Sequence, residues 1–92
     1  MAQADAVKYL NGTTSQLVKT GAGIYYGIIV SSHTSGTMKL WDNTSAAGAV
    51  LVNTVTFAAG DVAPRIIPMG ISFGTGLFIT IGGTIDYTIL YF

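Results

Sequence analysis

From Gln16 onward the chain is a series of short apolar runs broken at turn residues, with glycine rarely more than a dozen positions away. Four runs alternate with the period of two that separates the faces of a strand. In Thr37–Asp42, Met38 and Leu40 take one side and Thr37, Lys39 and Trp41 the other. Ala49–Phe57 sets Val50, Val52, Thr54 and Thr56 against Leu51, Asn53, Val55 and Phe57. In Leu77–Ile81, Leu77, Ile79 and Ile81 oppose Phe78 and Thr80. Thr84–Phe92 places Ile85, Tyr87, Ile89 and Tyr91 opposite Thr84, Asp86, Thr88, Leu90 and Phe92. Ile24–Ser31 is β-branched and aromatic without alternation, which predicts a strand covered on both faces. Gln16–Thr20 predicts a short strand, and the proline-limited Arg65–Met69 and Ile71–Phe73 predict edge strands.

Between these runs lie the punctuating residues. Gly21-Ala22-Gly23 predicts a turn, and Ser32–Gly36 a hydroxyl-rich loop that carries His33, the single histidine. Asp42-Asn43-Thr44-Ser45 is a run of side chains that bond nearby backbone, ending one strand and starting a loop. Gly60-Asp61 and Pro64 bound a further loop, and Gly82-Gly83 is a two-residue hairpin signal. Seven or eight short strands with turns every eight to twelve residues predict an all-β chain. The expected architecture is one compact antiparallel β-sandwich or jelly-roll-like barrel. Outside Ala2–Leu10 no helical period is present. The expected organisation is an N-terminal arm over 1–15 and a β-sandwich domain over 16–92.

Composition sharpens this picture. Ninety-two residues make one domain with one core. Half the residues are hydrophobic, which excludes a solvated coil. No cysteine is present, so disulfide scaffolds, cysteine-ligated zinc and thiol nucleophiles are excluded. Four Lys+Arg balance four Asp+Glu, and the charged fraction is only 9%. That balance lacks the basic cluster a nucleic-acid binder needs. A compact monomer of this mass exposes about 5,000 Å², so each charge serves roughly 600 Å². Twelve Thr and six Ser hydrate part of such a surface. Burial between subunits is the expected remedy for the rest, which predicts a homo-oligomer. No uninterrupted apolar stretch of membrane-spanning length occurs, and no basic-then-apolar leader opens the chain. The expectation is a protein made in the cytosol, with no membrane partner. Asn11-Gly12-Thr13 and Asn43-Thr44-Ser45 match the glycosylation pattern and are read as turns.

Little in the sequence points to catalysis. One histidine and four scattered aspartates give no metal-ligand spacing, so no metal and no cofactor are expected. His33 reads as a solvated loop residue. Gly70-Ile71-Ser72-Phe73-Gly74 has the letters of a nucleophile elbow, but no helix follows it, and that elbow belongs to a strand-to-helix turn. The glycines of Gly74-Thr75-Gly76 lack the Lys-Ser/Thr of a phosphate loop and read as a turn. No catalytic residue is assigned and the chain is read as a non-enzyme. Trp41, beside Lys39 on an alternating strand, is of the kind enriched in interface cores and sugar-stacking sites. Tyr25, Tyr26, Tyr87, Tyr91 and Phe92 complete the candidate interface set.

Two segments, Lys39–Gly48 and Gly76–Tyr91, carry a resemblance. Met38–Gly48 (MKLWDNTSAAG), a β run ending in Gly-Asp-Val-Ala-Pro, then Gly76-Leu77-Phe78-Ile79, Gly82-Gly83 and a Thr/Tyr-rich last strand follow in order. The chain resembles small β-sandwich virion proteins of tailed bacteriophages over about three-quarters of its length. The motifs concerned are turn and packing motifs. The resemblance implies a structural role, as a head decoration (cement) protein or another virion part. The partners it implies are further copies of the chain, with a trimer favoured, and the major capsid protein or another virion protein. A fibre or spike module that recognises a host surface glycan is the alternative. The arm over 1–15 would then order on a neighbouring subunit.

Overall fold

The computed structural model describes residues 7–58 and 64–92. The described chain is all-β, with six strands in one antiparallel sheet and no helix. In chain order they are β1 (Lys8–Gly12), β2 (Gln16–Thr20), β3 (Gly23–Asp42), β4 (Ala49–Thr56), β5 (Pro64–Phe73) and β6 (Gly76–Tyr91). The sheet is not a closed barrel: its main path runs β1-β6-β3-β4, with β2 on β6 and β5 on β3.

Its axis is the antiparallel ribbon of β3 and β6. Seventeen residues of β3 (Tyr25–Trp41) run against fourteen of β6 (Phe78–Tyr91). The three surplus residues lie at register shifts between Tyr25 and Gly27, Val30 and Ser32, and Thr34 and Thr37, all on β3. Each is a bulge, which bends the longer strand and increases its twist. A straight strand of twenty residues would reach about 63 Å, yet the longest dimension of the molecule is 41 Å. β3 therefore bends.

The bend at Thr34–Thr37 divides the sheet. On one side β5 and β1 flank the ribbon; on the other, β4 and β2 do. Ile28, Val30, Ile85, Tyr87 and Ile89 come from the first half, and Met38, Leu40, Leu77 and Ile79 from the second. All belong to one buried cluster. The Tyr87 hydroxyl donates to the Thr14 carbonyl oxygen at 2.7 Å and accepts from Gln16 Nε2 at 2.8 Å, tying the start of β2 to the far half of β6.

Several expectations change here. Gly82-Gly83 is not a hairpin turn. β6 runs through it without a break, facing the Ser32–Gly36 segment, which is strand rather than loop. Gly83 has φ +70°, and a Cβ there would lie 2.3 Å from the Ser35 carbonyl oxygen. Glycine therefore serves close backbone approach at a bulge. The joining of runs across these positions, and of the two pieces of β5, reduces seven or eight strands to six. One of the six is new: Lys8–Gly12, placed in the arm by the sequence reading, is β1 and pairs with Tyr87–Tyr91. Residues 1–6 of the arm, and the Gly60-Asp61 loop, lie outside the described residues. The missing alternation in Ile24–Ser31 does not mean cover on both faces, since Ile24 and Ile29 are exposed. The bulges at Tyr26 and Ser31 shift the inward parity. In Ala49–Phe57 alternation fails for the same reason, with two register shifts against β3.

Candidate interaction surface

Because inward positions are fixed by the core, the outward ones follow by alternation. On the β4-β3-β6-β2 half, Met38, Leu40 and Ile79 point in, so Lys39, Trp41, Phe78 and Thr80 point out. Register then aligns one residue from each strand: Val50 opposite Trp41, Trp41 opposite Phe78, and Phe78 opposite Leu17. Val50 and Leu17 are 44% and 40% exposed, and Trp41 and Phe78 are half-buried. This is an apolar row across four strands, about 14 Å wide at the usual strand spacing.

Lys39 borders the row. Its Nζ lies 4.5 Å from the Trp41 ring centroid, a cation–π contact. The Trp41 indole N–H donates to Thr80 Oγ1 at 3.3 Å, and that hydroxyl donates to the Lys39 carbonyl oxygen at 3.3 Å. The indole is therefore held in place, with its polar edge satisfied.

The β5-β3-β6-β1 half has a matching outer face. Here Tyr9 opposes Leu90, Leu90 opposes Gly27, and Gly27 opposes Ile66. Tyr9 is 67% exposed, and Ile66 and Ile29 on the same face are also exposed. Asp86 points outward between buried Ile85 and Tyr87. Its carboxylate forms no hydrogen bond or ion pair with any described residue.

The candidate interface residues thus separate. Trp41 and Lys39 lie together on an outer face. Tyr25 and Tyr87 are core residues, 3% and 1% exposed, and present no docking surface. Burial pushes the Tyr87 hydroxyl pKa above its ordinary value, partly offset by Gln16. Tyr91 packs half-buried against the core. Tyr26 meets Phe92 edge-to-face at 5.9 Å, and Phe92 extends the sheet by two backbone bonds to Ile24. Sequence reading missed Leu17, Val50, Tyr9 and Ile66, which only cross-strand register brings into rows.

The remaining chemistry-bearing residues stay apart. His33 is not a solvated loop residue. It is half-buried within β3, its ring 5.4 Å from Phe57. Its Nδ1 accepts from the Gly36 N–H at 3.4 Å, and its buried Nε2 has no partner among the described residues. Ser72 sits opposite Ile24 on β5, nine positions along β3 from His33, or about 30 Å of strand. No group of three or more His, Asp, Glu or Cys gathers among the described residues. The Gly74-Thr75-Gly76 turn already holds an anion, the carboxylate of Asp42. Comparison with family models, with curated proteins and with solved structures finds no match to this chain.

Proposed function

We propose that the chain is a non-enzymatic structural protein of a virion, a capsid decoration (cement) protein that stabilises the shell through subunit–subunit contacts. In this reading it is made in the host cytoplasm and ends in the particle. Its fold is a two-layered β-sandwich, the bent sheet lying across its own face. That arrangement accounts for core residues with no exposure coming from both halves.

The observation that carries the reading is the pairing of a 9% charged fraction with apolar rows on both outer faces. Rows of this kind mark surfaces that another protein covers. A surface destined for burial gains by lacking charge, since each buried unpaired charge costs several kcal/mol. The resemblance to phage virion proteins supplies the partner class. Sedimentation with empty phage capsids tests it. Association with the shells is expected, and a chain left wholly in the supernatant overturns the reading.

One observation favours a second reading, a fibre or spike module that binds host glycan. Trp41 is oriented at the surface with the Thr80 hydroxyl and the Lys39 ammonium beside it. Saccharide-dependent quenching of this single tryptophan would select it.

A further inference from the structure

We infer that the two outer faces are partners for each other: the Trp41 face of one copy docks on the Tyr9 face of the next. This rests on the self-association proposed above and names the surfaces that carry it. Both faces are four-strand sheet surfaces crossed by an apolar row, a form suited to sheet-on-sheet packing at about 10 Å.

Charge decides which face meets which. Among the described side chains, Lys39 is the charged group on the first outer face and Asp86 the one on the second. Lys8, exposed on the edge strand β1, and Lys19, half-buried, fall on the inward side of their strands, opposite Tyr91 and Leu77. Lys19 donates to the Phe92 carbonyl oxygen, and the Asp42 carboxylate is taken by backbone N–H groups. No described residue forms an ion pair with Lys39 or Asp86. A contact of one face with its own kind would bring two lysines or two aspartates into the same interface. Docking the unlike faces brings one cation and one anion there, and like-charge juxtaposition is what interfaces avoid. The contact is then heterologous, so copies close into a ring or continue as a stack and do not stop at a twofold dimer.

Complementation tests this with the full chain. Leu17→Asp spoils only the Trp41 face and Tyr9→Asp only the opposite one. Both sites are exposed, and unchanged far-UV circular dichroism checks that the variants fold. Each variant alone is expected to sediment as a monomer, and an equimolar mixture as a 1:1 dimer, because one intact face of each kind remains. Either variant assembling alone like the parent overturns the proposal, as does a mixture that stays monomeric. Lys39→Glu and Asp86→Lys are each expected to weaken assembly about tenfold, with recovery in the double reversal. Singles without effect, or a double reversal without recovery, contradict the pairing. A parent chain that is itself monomeric overturns the self-association reading. A parent that assembles while these variants behave otherwise overturns the face pairing alone.

Discussion

The Asp42 carboxylate accepts the Thr75 backbone N–H at 2.8 Å across 33 positions of sequence. The Gly74 N–H reaches both carboxylate oxygens at 3.1 Å, and that of Gly76 lies at 3.5 Å. The end of β3 therefore fixes the turn that starts β6. The Thr75 and Gly74 bonds hold this carboxyl below its ordinary value of 3.8, against a smaller opposing effect of desolvation. A depressed folded-state pKa means stability that is present above the unfolded value and lost as pH falls through it toward the folded value. Thermal melting of the parent is expected to weaken as pH drops below about 4. Asp42→Asn is expected to melt lower than the parent at pH 7, with the gap narrowing in acid. A gap constant down to pH 2 would contradict the role given to the charge.

Gly83 and Gly21 both have positive φ, at +70° and +90°, but their surroundings differ. An alanine Cβ at Gly83 meets the Ser35 and Thr34 carbonyl oxygens at 2.3 and 2.8 Å, and at Gly21 it meets nothing within 4 Å. Gly21→Ala is expected to cost about 1 kcal/mol from left-handed backbone strain. Gly83→Ala adds a backbone clash at the central bulge, for a total of roughly 3 kcal/mol or more. Urea denaturation of the two variants measures the difference.

Tyr87→Phe removes one hydroxyl and leaves the Thr14 carbonyl oxygen and Gln16 Nε2 without it. The expected loss is about 1–3 kcal/mol by urea denaturation, because partly buried partners are left unpaired. A neutral result would show that these groups find water and that this tie between the halves is dispensable.

What the sequence made legible was local. Met38 and Leu40, and Ile85, Tyr87 and Ile89, alternate as written, and each set lies together on the buried side of its strand. The failures share one cause. A bulge is a property of two paired strands, so Tyr26, Ser31 and Leu51 shift parity only once partners are known. Gly82-Gly83 satisfies the demands of a hairpin turn and of a close-packed bulge alike, and the facing Ser35-Gly36 decides between them. Trp41 and Lys39 were found because they sit two apart on one strand. Val50, Phe78 and Leu17 complete their row through register, which no single run of residues encodes.

Trp41 reports on the surface directly, being the single tryptophan. Its emission is expected to shift to shorter wavelength or to be quenched when copies or shells assemble, and to ignore added saccharides. A response to saccharide without assembly would move the chain to the glycan-binding reading.

Sedimentation velocity of the purified protein over a hundredfold range of concentration tests most directly whether this exterior must be covered. A sedimentation coefficient that rises with concentration beyond that of a 9.6 kDa particle is predicted. A single monomeric species throughout, still clear at the highest concentration, would contradict it.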